Sequence, residues 1–169
     1  GVLELNPFFS LNLNSKIINI DFKFLKELDI EKILNKKRLI KKLNIENNLS
    51  ITSKKFGSSP LKNLNIKKKI AYGRVDMLKN FNIFDSSFNC SSNINLLEEF
   101  PIFYFNCNVN IKDKMKFLKK IGINYKLRNE TVNLSVLGNL NILNRKINFD
   151  NIIVDDEKFN KEDLKYYKD

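Results

Sequence analysis

Apolar residues alternate with Asn, Ser or Lys over strand-length stretches of this chain. The clearest are residues 9–13 (Phe9, Leu11, Leu13), 103–111 (Phe103, Phe105, Cys107, Val109, Ile111) and 132–136 (Val132, Leu134, Val136). A period of two puts one side-chain set on each face of a β-strand. The pattern predicts a sheet with one apolar and one polar face. Residues 2–5, 17–22, 45–52, 81–84, 88–96, 123–127, 132–142 and 147–154 read as further strands. Residues 9–13 and 17–22 would form a hairpin around Asn14-Ser15. Residues 64–77 carry two competing phases, Leu64, Ile66, Ile70 and Tyr72 against Ala71, Gly73 and Val75, and are assigned mostly to strand.

The period turns helical from Phe24. Phe24, Leu25, Leu28, Ile33, Leu34, Leu39, Ile40 and Leu43 recur at helical spacing, with Asp29 placed to cap a helix beginning at Ile30. Residues 54–61 read as a loop. Asp113 is a good N-cap for a short helix over 114–121, whose Met115, Leu118 and Ile121 share a face and which Gly122 ends. Asn144-Arg145 reads as a compact turn. Asn160 with Asp163 resembles a third helix start, with Leu164 and Tyr167 as its apolar edge. The expected class is mainly β (α+β). It is an antiparallel meander with two or three short amphipathic helices, and residues 1–169 form a single β-rich segment. Short links between neighbouring strands favour antiparallel pairing.

Composition narrows the chemistry. The chain begins at Gly1 and ends inside what reads as a helix, so it is read as a piece of a longer protein. No secretory segment is evident, and no apolar run reaches the roughly 18 residues a membrane helix needs. Net charge is +11, from 30 basic and 19 acidic residues. One reading is a phosphate-bearing partner, either nucleic acid or an anionic membrane. The preferred one is compositional drift, since Lys, Asn, Ile and Phe are inflated together, as AT-rich codons would produce. The chain has no His. That removes Ser-His and Cys-His nucleophile pairs and imidazole metal ligands.

The two cysteines form no CxxC. Cys90 and Cys107 fall on apolar phases of adjacent predicted strands. If these strands form a hairpin turning near Glu98-Glu99, the cysteines would face each other. A disulfide in an oxidising compartment is then one outcome, and two buried free thiols the other. Asp155-Asp156-Glu157 and Glu98-Glu99 read as solvated turns, not as a cation site or catalytic carboxylates. Lys67-Lys68-Lys69 and Lys36-Lys37-Arg38 are candidate phosphate contacts, but no reader motif accompanies them. No catalytic residue, metal site or cofactor site is expected. The functional weight then falls on the apolar sheet face. Packed on helices it is a core. Partly covered, it is a groove suited to hydrocarbon.

Four passages carry a resemblance that covers most of the chain. They are Leu3–Leu13 followed by Ile18-Asn-Ile-Asp-Phe22; Ile70–Met77 with Phe81–Phe88; Val109–Leu118; and Ile147–Val154. Together they resemble the C-terminal part of AsmA-like proteins, the group that includes TamB and YhdP. The closing strand departs from that pattern as Asn151-Ile-Ile-Val-Asp155. The resemblance implies a long, curved β-sheet groove in a periplasmic protein anchored in the bacterial inner membrane by a preceding segment. It implies a non-enzymatic role in phospholipid transport toward the outer membrane and in outer-membrane biogenesis, with acyl chains as the partner and no nucleic acid. The candidate lipid-binding lining is Phe103, Phe105, Val109, Ile111, Val132, Leu134, Val136, Leu140 and Ile142. The alternatives are a basic nucleic-acid-binding module and a structural scaffold segment with a closed core.

Overall fold

The computed structural model describes residues 1–5, 10–18, 35–52, 61–124 and 130–159. Ten strands form one open sheet, and their order across the sheet is their order in the chain. They are β1 (Val2–Glu4), β2 (Ser10–Ile18), β3 (Asn44–Thr52), β4 (Leu61–Ala71) and β5 (Arg74–Ile83), then β6 (Ser86–Asn95), β7 (Ile102–Ile111), β8 (Val132–Asn141), β9 (Lys146–Val154) and β10 (Glu157–Lys158). The mainly β, antiparallel class expected from the sequence is thus the observed one. β2 and β3 are the exception, pairing parallel from Leu11↔Ile45 to Ile18↔Thr52. Parallel neighbours need a crossover, and residues 19–43 separate these two strands in the chain.

Tight turns set the meander. Tyr72 (φ 50°) and Gly73 (φ 89°) join β4 to β5, Phe84 (49°) and Asp85 (67°) join β5 to β6, and Asp155 (48°) and Asp156 (71°) join β9 to β10. Two-residue loops with positive φ at both positions match the right-handed twist of the strands they connect. The first turn also resolves the two phases over residues 64–77. Ala71 pairs with Arg74, so the inward phase passes from even positions (Leu64, Ile66, Ile70) to odd ones (Val75, Met77, Phe81). Most of that segment is strand, as expected, and the Tyr72-Gly73 turn folds it into the β4–β5 hairpin. Gly73 is required there twice over, because its φ is positive and a Cβ would run into the Leu97 side chain.

The expected hairpin at Asn14-Ser15 does not exist. Both residues lie within the unbroken β2, where Asn14 Oδ1 accepts from Asn48 Nδ2 at 3.0 Å. The local turn chemistry of Asn-Ser is overridden by cross-strand pairing. Ile123 and Asn124 are not in a strand, and 125–127 lie outside the described residues. So do most of the predicted helix over 24–43, most of the 54–61 loop and the C-terminal helix. Leu61 itself opens β4.

Two short helices are described, α1 (Lys37–Ile40) and α2 (Lys114–Lys120). α1 is a single turn whose Ile40 is buried. α2 starts as expected: Asp113 Oδ1 accepts from the Lys116 amide at 2.7 Å. Gly122 (φ 88°) follows its end, and the Ile123 amide donates back to the Leu118 carbonyl at 2.9 Å. The packed side differs from the predicted one. Met115 and Ile121 are exposed, while Phe117 meets Phe84 and Phe88 with ring centres 6.2 and 6.4 Å apart. No helix among the described residues is long and apolar enough to cross a membrane, which says nothing of a β-barrel.

Candidate functional site

Direct pairing places opposed residues on one face of the sheet, so the registers define rows that cross it. One row runs Leu11, Ile45, Ile70, Val75, Ile94, Phe103, Leu140, Ile147. Another runs Ile17, Ile51, Leu64, Phe81, Phe88, Val109, Leu134, Val154. The opposite face is polar, with cross-strand hydrogen bonds such as Ser50 Oγ to Asn65 Oδ1 at 2.8 Å and Asn110 Nδ2 to Asn133 Oδ1 at 2.7 Å. The alternation met in the sequence is therefore realised across eight neighbouring strands.

The candidate lining residues come together on the apolar face. Phe103 pairs with Leu140, Val109 with Leu134 and Ile111 with Val132, while Val136 opposes Cys107. Ile142 lies just past β8, its amide donating to the Pro101 carbonyl. Phe105 opposes Gly138, and a Cβ at 138 would stand 2.8 Å from its ring. That ring meets Phe149 edge-on at 6.4 Å, and Phe81 stacks on Phe88 at 4.8 Å. The sequence reading left Phe81, Phe88 and Phe149 out of the lining, although all three stand in its alternating phases.

Cys90 and Cys107 oppose each other on this face, with Cα atoms 4.1 Å apart, and their sulfurs are joined in a disulfide. The β6–β7 connection spans Leu96–Pro101, around Glu98-Glu99, and it has capping contacts of its own. Asn95 Oδ1 accepts from the Leu97 amide, and Asn95 Nδ2 donates to Glu98 Oε1 at 3.2 Å.

Most of the apolar face is half-buried. The buried described hydrophobics are Ile40, Ile51, Val75, Ile94, Val109 and Val132; Phe103, Phe105, Ile111, Leu134, Val136, Leu140 and Ile142 all retain some exposure. Two troughs between side chains lie mostly outside this lining. One of about 410 Å³ is lined by residues 46–48, 67–69, 76–78 and 91–93. A second, of about 170 Å³, touches the candidate lining only at Val109 and Leu134.

Charge is split between the faces. Lys67 and Lys69 point to the polar side, where Lys69 bridges to Glu46 at 2.9 Å; the Glu46 partnership raises its pKa. Lys68 points to the apolar side. The lysine run is thus not a one-sided phosphate patch. Lys79 is also on the apolar side, where its ammonium donates to Ser92 Oγ at 3.1 Å and lies 5.0 Å from the Phe103 ring centre. Burial lowers its pKa from 10.5. The sequence reading missed Lys79, which occupies the slot between Met77 and Phe81 in an otherwise apolar phase.

Asp155 is used structurally, its Oδ1 accepting from the Asn133 amide at 2.7 Å. Among the described residues no three His, Cys, Asp or Glu side chains gather as a metal site would require. No family model, curated protein or solved structure matches the chain.

Proposed function

We propose that the apolar sheet face is a non-enzymatic lining for lipid acyl chains, and that the chain is a segment of a bacterial envelope protein of the AsmA-like kind. In this reading the face is a partly open groove that desolvates tails while head groups stay in water, serving phospholipid transport between the inner and outer membranes. The observation that carries it is the half-buried state of a largely apolar face across eight paired strands, including Phe103, Phe105, Leu134 and Leu140. Hydrocarbon burial needs area and little directional chemistry, which is what such a face offers. The Cys90–Cys107 bridge supports a periplasmic setting, because disulfides persist in oxidising compartments. An inner-membrane anchor would be supplied by another part of the parent protein.

Site-specific photocrosslinking tests this. A benzophenone side chain at Phe105 should capture phospholipid in cells, and one at Asn106, on the opposite face of the same strand, should not. Capture of protein alone at Phe105 would mean that the face is a closed core, and the transport reading would fall.

A further inference from the structure

Over β3–β6 the apolar face is interrupted by a row that is polar at three of its four positions. Asn47, Lys68, Met77 and Ser92 occupy directly paired positions on β3, β4, β5 and β6. At the usual strand spacing this row covers roughly 14 Å of sheet. Lys79 stands one inward position further along β5, diagonal to both Lys68 and Ser92. Its side chain leans across β6, where the ammonium meets the Ser92 hydroxyl and the Phe103 ring. Ser92 is only 6% exposed. At the far end Asn47 reaches the Ser15 hydroxyl at 3.5 Å.

Among the described residues that the β2–β9 registers pair directly, Lys68 and Lys79 are the ionisable side chains of this phase. The described strands place no carboxylate on the phase before Glu157, on β10. Lys79 therefore carries a cation into apolar surroundings with a neutral hydroxyl and an aromatic face as its contacts. An ammonium so placed carries a desolvation cost that an incoming anion would offset. Apolar rows flank the polar one on both sides. A molecule with its acid group on the lysines would find hydrocarbon surface, such as Phe81, Phe88 and Val109, within one or two row spacings.

We propose that this row is a head-group site for an anionic amphiphile. The acid head, a carboxylate or a phosphate, sits against Lys79 and Lys68, with the Ser92 hydroxyl as a further donor, and the alkyl tail lies along the neighbouring apolar rows. The proposal rests on the reading that the face carries acyl chains and narrows the cargo to molecules with a negative head.

Binding of dodecyl phosphate, dodecanoate and dodecanol, each kept monomeric, tests it by calorimetry on the whole chain, alongside Lys79→Met and Lys79→Arg. Both acids should bind more tightly than dodecanol. Lys79→Met should weaken the acids about tenfold, the worth of one charge-assisted hydrogen bond. It should leave dodecanol unchanged, which also reports that the variant is folded. Lys79→Arg should keep the acids bound, and inorganic phosphate at equal concentration should not displace them. If all three amphiphiles bind and Lys79→Met changes none of them, the head site is overturned while the acyl-chain reading stands. If none binds, the acyl-chain reading itself falls. If inorganic phosphate competes fully, the site is one for free anions and the amphiphile proposal is overturned.

Discussion

The ring of Phe105 lies in the space that a side chain at Gly138 would fill. The two residues oppose each other on β7 and β8, and a Cβ at 138 would sit 2.8 Å from the ring and also against the Asn148 carbonyl. The Asn148 carbonyl is backbone of the paired β9, so no side-chain rotation relieves that contact. Gly138→Ala should therefore destabilise the fold by roughly 1–3 kcal/mol, as overpacking does. Urea denaturation checks this through a lower midpoint at an unchanged slope. A midpoint equal to that of the parent would mean that the ring swings aside freely.

Lys79 makes stability depend on alkaline pH. Burial lowers its pKa in the folded protein below 10.5, so the unfolded chain holds this proton more tightly. Below the depressed value both states are charged, and folding bears the whole desolvation cost. As pH rises from there through 10.5 that cost fades, so Lys79 favours folding more at high pH. Lys79→Met removes the dependence. The stability of the variant relative to the parent should fall as pH climbs from neutrality toward 10.5. Paired denaturation curves across that range read it, and a constant difference would show that burial does not perturb this amine.

The cap of α2 is a local test. Asp113 accepts from the Lys116 amide at 2.7 Å, and the helix spans only Lys114–Lys120. Asp113→Ala should cost about 1 kcal/mol, the usual worth of such a cap. Amide exchange within α2 should accelerate, while exchange in the β6–β7 ladder should not. Uniform acceleration throughout the sheet would instead tie α2, through Phe117 on Phe88, to the stability of the whole fold.

How much was legible depended on whether the pattern stayed in phase. Phe103 to Ile111 and Val132 to Val136 alternate without interruption, and they lie as the alternation requires. Across Tyr72-Gly73 the phase flips, because a two-residue turn moves the inward positions from even to odd, and a reading by eye sees ambiguity where there is a hairpin. Asn14-Ser15 misled in the other direction, since turn-forming residues also make good cross-strand hydrogen-bonding partners. On α2 the spacing of Met115, Leu118 and Ile121 marked one apolar side, but a seven-residue helix packs by whichever large ring reaches the sheet, and Phe117 does. Lys79 was invisible as a site residue, because a lysine in an apolar phase reads as an interruption until the register shows what surrounds it, and Lys68 stood out only as part of the Lys67-Lys68-Lys69 run, not as its member on the apolar side.

The Cys90–Cys107 bridge links strands that already pair, so its contribution comes chiefly from the unfolded chain. It closes a loop with a sequence separation of 17. The chain-entropy relation assigns about 3 kcal/mol to a loop of this length. Because the cysteines oppose each other within the β6–β7 ladder, the sheet should keep its register without the bridge, with Ser in place of both sulfurs still facing one another. The double variant Cys90→Ser, Cys107→Ser should therefore fold to the same strand content by circular dichroism, yet unfold at a lower urea concentration. The parent should fall to nearly the same midpoint when reductant is added, and the variant should be indifferent to it. A parent midpoint unmoved by reductant, with both thiols shown to be free by alkylation, would mean that the bridge adds nothing to stability and that pairing alone holds β6 to β7.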